Sequence, residues 1–360
     1  MAASGFLVEL YGSTFVQAVT VEYPPSVVVH RLDQEANSSW KKYLRFVTDL
    51  VKRSSKDTDV FIGHDMHGLL VARLLSWRYG KPLIYHCHEY VDSEAAKQLN
   101  WGGHLVFLFQ KYLARTADLV VIPDQDRAYL MKGEFRLDND LIVATNSPLS
   151  PISESGVRLR DELEERGKRF EQIVFRQGSI GPSHAIETTL QSMQYWSSRA
   201  WGFVIMGSGA PDYIQSLHQQ AIELGVAEQF VVLPPVSYDD VLKFTPGASL
   251  GHSLYSPVDA NNRYSTTASN KLMEYMAAGL PLLVSDRPGL RDLVTRHGCG
   301  VVADEDNPES IARSINYLLA NPEQAKQMGS NGRQAFFDTY CYERQFAPVL
   351  VWMQTQAAHR

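Results

Sequence analysis

The sequence predicts an α/β protein of two domains, each a mostly parallel sheet wrapped by helices, and three observations carry the prediction. At 360 residues the chain is longer than one hydrophobic core usually holds, so two domains are expected. Short apolar runs alternate with runs of helix formers, the pattern of strands joined by crossover helices. Residues 269–300, SNKLMEYMAAGLPLLVSDRPGLRDLVTRHGCG, show the repeating unit most clearly. Ser269 and Asn270 are good N-caps, 271–278 is a run of strong helix formers, and Gly279 with Pro281 stops it. Leu282, Leu283 and Val284 read as a buried parallel strand, 286–289 as a turn and 290–297 as a second helix.

The remaining elements follow in order. Strands are expected at 6–10 and 26–32, with room for a third within 14–25. An amphipathic helix spans 40–53, with Tyr43, Phe46, Val47 and Leu50 on one face. A strand at 59–62 ends in the loop GHDMH, residues 63–67, before a helix at 68–78. The strand LIYHCH, 83–88, puts His86 and His88 on one face and Cys87 on the other. A helix at 101–115, a strand at 118–122, a helix at 125–132 and a strand at 141–145 close the first domain. Residues 148–167 read as a linker with a solvated helix. The second domain opens with a strand at 172–175, a glycine-containing loop (RQGSIGPSH) and a helix at 185–193. Strands at 203–209, 230–233, 248–254 and 300–304 follow, with helices at 212–224, 238–244, 307–319 and 323–340. An apolar last helix runs over 342–356. The expected division is 1–147, 170–335 and a returning helix within 336–360.

Composition narrows the function. Hydrophobic residues make up 44% and charged residues 21%, as in a packed globular protein. A net charge of −6 gives no reason to expect nucleic acid as a partner. Three scattered cysteines, Cys87, Cys299 and Cys341, form no disulfide framework and fit a reducing cytoplasm. No signal peptide or bilayer-length apolar run is expected. The helix at 101–115 is apolar, with Lys111 and Arg115 one turn apart. It fits packing on a sheet, and peripheral membrane contact is its other use.

The stretch SNKLMEYMAAGLPLLVSD resembles the C-terminal signature of retaining glycosyltransferases of family 4, which have the GT-B fold: two Rossmann-like domains, a cleft between them and a C-terminal helix crossing back to the first. The resemblance covers most of the chain from about residue 59. It implies that loop amides before the helix hold a donor diphosphate and that Glu274 binds the ribose hydroxyls. A helix N-terminus suits phosphate, and a carboxylate accepts both protons of a vicinal diol. A solvated Glu274 is the plain alternative.

The resemblance also assigns other residues. His88, a strand-end histidine followed by Glu89, would contact the donor sugar near the reacting carbon. A structural histidine is its alternative. His64, Asp65 and Glu89 sit where an acceptor or sugar would bind, and Asp65 is equally a candidate N-cap. A metal site from His86, Cys87 and His88 is not expected, because adjacent strand residues diverge. On the donor side stand Gly178, Ser179, His184, Arg263, Ser269, Asn270 and Lys271. Ser179 and His184 occupy positions that are usually basic in the family, and Lys271 could supply the missing charge. Thr266 stands where many members carry a first glutamate, so the chain resembles a branch without it. There Ser265, Thr266 and Thr267 would offer hydroxyls and amides to phosphate. Tyr238 either stacks on the base or only starts a helix. The chain also enters at what would be the family's second strand.

The function so implied is retaining, metal-independent transfer of a sugar from a nucleotide-sugar to an acceptor hydroxyl, with no cofactor. A catalytically weakened nucleotide-sugar-binding subunit, working with a partner chain or as a homo-oligomer, and a nucleotide-sugar epimerase are the alternatives.

Overall fold

Twelve short strands form three parallel sheets in the computed structural model, which describes residues 1–12, 23–31, 39–149, 157–258, 260–264 and 266–358. β1 (Val8–Gly12) and β2 (Val27–Arg31) pair as a two-stranded sheet. Of the stretch 14–25, considered for a third strand between them, residues 14–22 lie outside the described residues.

β3 (Phe61–His64), β4 (Leu83–His86), β5 (Leu119–Ile122) and β6 (Asp140–Val143) lie side by side in chain order. Both faces of this sheet are covered, which is why its strands read as continuous apolar runs. Leu83, Tyr85, Val120 and Ile122 pack toward the helices Asp65–Tyr79, Trp101–Ala114 and Gln125–Phe135. Ile84, Leu119 and Val121 pack against Phe346, Val349 and Met353 of the last helix, Tyr342–Ala358. The chain's end is thereby seated on the first sheet.

The second sheet has the order β12-β11-β10-β7-β8-β9. Its strands are β7 (Gln172–Gln177), β8 (Trp201–Met206), β9 (Phe230–Leu233), β10 (Leu250–Ser253), β11 (Leu282–Ser285) and β12 (Gly300–Ala303). Numbered within the sheet, this is the 3-2-1-4-5-6 order of a doubly wound fold, with its reversal between β7 and β10. The crevice beyond the carboxyl ends of those two strands is where such sheets bind ligands.

Three expectations change. The strand predicted at 59–62 runs two residues further, and the helix begins at Asp65 with no GHDMH loop between them. Asp65 makes the junction with a φ of 51°. The helix Val157–Glu165 is not simply solvated: Leu159 and Leu163 are buried in the core of the second sheet. Their spacing of four places both on one helical face, so the charged residues between them hide an amphipathic pattern.

Candidate active site in the cleft

At the β7–β10 crevice the backbone approaches itself closely. Gly178 follows β7 with a φ of +101°, and a Cβ on Gly207 would lie 1.7 Å from the Gly178 carbonyl oxygen, so Gly207 can only be glycine. The amides of Gly178 and Ile180 donate to Met206 O (2.9 Å) and Ser208 O (2.8 Å). Two of the loop's N–H groups thus hold the turn against β8. Ser179 stays exposed between them.

Cationic side chains stand under this loop instead. Arg176, in the middle of a buried strand, is 1% exposed. It donates to Leu254 O (3.4 Å), lies 3.4 Å from His252 Nδ1, and leaves Nε and Nη2 without partners. Lys271 donates to the Tyr255 hydroxyl (2.7 Å), and a Cβ on Gly178 would meet its Cε at 3.4 Å. Tyr255 is buried, faces the Arg176 guanidinium at 5.4 Å, and shares a 3.0 Å hydrogen bond with Ser269. His184 is buried with its ring edge-on to Tyr255 at 5.7 Å and its Nδ1 unpartnered.

Among the described residues neither Arg176 nor Lys271 has a carboxylate within ion-pair distance. Burial lowers the pKa of both, and their mutual proximity adds to it for Lys271. Burial, then Arg176 and Lys271, push His184 down to about 2. His184 is therefore a neutral hydrogen-bonding group here, not a cation. Burial alone would raise the Tyr255 phenol, yet Lys271 and Arg176 bring it to about 8. A buried cluster of positive charge without a counter-ion is costly unless an anion completes it.

Glu274 projects from the helix Asn270–Ala277 and is 5% exposed, which excludes the solvated reading. Its carboxylate accepts from Gln177 Nε2, and Gln177 in turn accepts from Thr245 Oγ1 (2.7 Å). Burial raises the Glu274 pKa; Gln177 and Lys271 act against the rise. Ser269 precedes the helix without a side-chain cap bond, so the terminal N–H groups are not capped by it.

Across the cleft, His64, His86 and His88 line a cavity of about 260 Å³ together with Asn270, Tyr238 and Phe346. His64 and His86 are register partners at the ends of β3 and β4. His64 Nδ1 and His88 Nε2 lie 3.1 Å apart, and the His86 and His88 ring centroids 4.1 Å apart. Burial first, then the neighbouring rings, lowers His86 to about 2. Asp65 does not cap the helix; its Oδ1 accepts from the His88 amide (2.7 Å) and the Glu89 amide (3.2 Å), fixing the turn that aims His88. The Glu89 residue is exposed. Tyr238 is the first residue of its helix and also lines the cleft.

A clasp joins the two walls. Asp124, 1% exposed, accepts through Oδ2 from the amides of Thr266 (3.0 Å) and Thr267 (2.8 Å) and through Oδ1 from those of Asp126 (2.9 Å) and Arg127 (3.3 Å). Arg127 donates to Tyr264 O (2.7 Å), Asn261 O (2.7 Å) and His88 O (3.3 Å). The loop amides expected to face phosphate at Thr266 and Thr267 are therefore taken by the first domain; Ser265 lies outside the described residues. Arg263 is exposed, donates to Pro257 O (3.4 Å), and nothing described ties it to the buried cations.

The structure thus brings Lys271, Ser269, Gly178 and His184 together, sets Glu274 beside them, and places His88, His64 and Asn270 on one cavity. Sequence reasoning missed Arg176, Tyr255, Asp124 and Arg127. An arginine inside the apolar run QIVFRQ was the available signal for Arg176, since a strand buried on both faces has no solvated place for it.

The chain is similar to known proteins. Residues 1–144 match the family model described as Glycosyl transferase 4-like domain, and residues 162–335 the one described as Glycosyl transferases group 1. An uncharacterized glycosyltransferase of Haemophilus influenzae is 23% identical over 236 residues, 64% of this chain, and the match spans 60% of that relative's length. Sucrose-phosphate synthase from Thermosynechococcus elongatus superposes with a TM-score of 0.72 at 16% identity, over 99% of this chain and 91% of that one. HepE of Anabaena, solved with UDP and glucose, gives a TM-score of 0.70 at 16% identity, over 91% of this chain and 86% of that one. With a domain model matched on each side of the cleft, the chain is a GT-B, glycosyltransferase family 4-like protein.

Proposed function

We propose that the protein transfers a sugar from a nucleoside-diphosphate sugar to an acceptor hydroxyl, with retention at the anomeric carbon. The observation that carries this reading is the buried Arg176 and the half-buried Lys271, without a carboxylate counter-ion among the described residues, beside an uncapped helix start. A diphosphate supplies the missing negative charge, and Glu274 takes the ribose diol. The sugar then extends toward His88. As the bond to the diphosphate breaks, Lys271, Arg176 and the helix N–H groups stabilise the charge on the leaving oxygens, so transfer needs no metal. That leaving phosphate accepts the acceptor's proton on the same face. The UDP in the HepE structure makes a uridine-diphosphate sugar the first donor to try.

A thermal-shift panel of UDP, GDP and ADP tests donor binding, because a ligand of the native state raises the melting point with the logarithm of its concentration over Kd. One diphosphate should stand out, and Lys271→Met should weaken it by about 10- to 100-fold, the range of a lost charge-assisted hydrogen bond. A flat panel at millimolar ligand would remove the reading. NMR of the sugar product then separates transfer with retention from epimerisation of the donor.

The acceptor side supports contact with a lipid surface. Trp101 (82%), Leu105 (40%), Leu108 (48%), Phe109 (57%) and Tyr112 (58%) are exposed along one stripe of the helix Trp101–Ala114. Trp77 stands exposed on another first-domain helix with Arg73 over its ring, and Arg115 is exposed at the end of the stripe. Aromatic residues rimmed by arginine suit the headgroup region of an anionic bilayer. No helix among the described residues is long and apolar enough to cross a membrane. The protein should co-sediment with vesicles containing anionic lipid, and Trp101→Ser with Phe109→Ser should abolish this. Self-association through the same stripe, or no vesicle binding at low salt, would contradict it. The three cysteines are buried and unpaired, which supports a reducing, cytoplasmic setting.

A further inference from the structure

The three cleft histidines form a donor set that sugar transfer does not use in full. His64 and His86 come from adjacent strands in register, and His88 returns to the same side two residues later. One ring nitrogen from each lies within 4.8 Å of the other two, and all three residues line the same cavity. Competing donors point elsewhere. The Cys87 thiol is buried on the opposite face, against Glu89 O, and the Asp65 carboxylate is held by two amides. The expectation against a metal considered His86, Cys87 and His88 and left out His64, which only the pairing of β3 with β4 brings in.

We propose that His64, His86 and His88 bind a first-row transition-metal dication, Zn²⁺ being the probe of choice, and that the bound ion inhibits transfer. Three imidazoles with a fourth position open to a cavity are a recurrent Zn²⁺ arrangement, with Zn–N bonds of about 2.0–2.1 Å. Ligation would draw the three ring nitrogens closer by side-chain rotation, for which His64 is exposed at the cavity wall. A set made only of nitrogen donors selects against Mg²⁺ and Ca²⁺, which prefer oxygen. The ion occupies the His88 imidazole and the space before it. Arg176, Lys271 and Glu274 do not line this cavity, although Asn270 at the helix start does, so the nucleoside end of the donor stays available. Metal binding stands on the geometry alone; the inhibition rests on the role proposed above for His88.

Titration calorimetry on the full chain with Zn²⁺ and with Mg²⁺ tests the site. One Zn²⁺ per chain should bind and Mg²⁺ should give no heat. His64→Gln and His86→Gln should each weaken Zn²⁺ by about a hundredfold, as expected for loss of one of three ligands. His64→Gln changes an exposed residue and decides the matter if His86→Gln fails to fold. No Zn²⁺ binding, or binding undiminished in His64→Gln, overturns the site. Zn²⁺ that binds and leaves the transfer rate unchanged overturns the inhibition and leaves the site standing. A thermal shift by UDP that persists with Zn²⁺ present supports the separation of the two ends, and its loss overturns it.

Discussion

Replacing Glu274 with glutamine should make the unliganded protein more stable at neutral pH while removing most of its affinity for nucleotide. Glu274 is 5% exposed, and burial raises its pKa above the ordinary carboxylate value. The sign follows from linkage: a carboxyl whose folded pKa is raised stabilises the fold most when protonated, and that contribution is lost as pH rises through the folded pKa. At neutral pH the burial that raises this pKa costs the wild type stability, and glutamine, with nothing to ionise, avoids that cost. Glutamine can keep the hydrogen bond from Gln177 through its carbonyl oxygen. It cannot accept two protons from a ribose diol with one charged group, and losing charge-assisted bonds of that kind costs about 10- to 100-fold in affinity. Melting curves with and without UDP at neutral pH and near pH 4 check both halves. The stability difference should shrink at low pH, where the wild-type carboxyl is protonated. A variant that melts lower at every pH and keeps the full UDP shift would show that Glu274 is a structural residue.

The second large effect is expected at Asp124. Its two carboxylate oxygens accept from four backbone amides, two on each side of the cleft. Thr267 adds its hydroxyl at 3.4 Å. Asp124→Ala leaves those N–H groups without an acceptor in a buried place, and each unsatisfied donor costs about 1–3 kcal/mol, less what water recovers. A net loss of about 3 kcal/mol in denaturant unfolding is expected. The functional signature is a split. The groups proposed to hold nucleotide, Arg176, Lys271 and Glu274, all belong to the second sheet and its helix, so UDP affinity should change little. The transfer rate should fall at least tenfold, because the clasp sets the loop before Asn270 against the first domain and, through Arg127, the His88 carbonyl. Equal losses in nucleotide affinity and rate would place the role of Asp124 in the second domain alone.

How far the site was legible depended on whether its cause was local. The helix carrying Glu274 and the strand after it could be read because caps, helix formers and a Gly–Pro stop act over a few residues, and the structure has them at Asn270–Ala277 and Leu282–Ser285. The alternation that turns His86 and His88 to one side is equally local. What escaped reading is long-range. Asp124 looks like an N-cap and is one, accepting from Asp126 and Arg127. Its second oxygen, reaching Thr266 and Thr267 more than a hundred residues away, has no trace in the neighbouring sequence. Arg176 was passed over because strand 172–175 was ended at the last apolar residue, while pairing with β8 continues to Gln177. Which N–H groups the 178–184 loop leaves free is equally long-range, because it depends on the carbonyls that the adjacent strand end supplies.

The most direct test is a crystal structure of the protein grown with UDP. The diphosphate should lie within hydrogen-bond distance of Lys271 Nζ and the first N–H groups of the helix Asn270–Ala277, with both ribose hydroxyls on Glu274 and the terminal phosphate directed toward His88. Nucleotide bound elsewhere, or this crevice closed by Tyr255 and Lys271 with UDP at saturating concentration, would contradict the account.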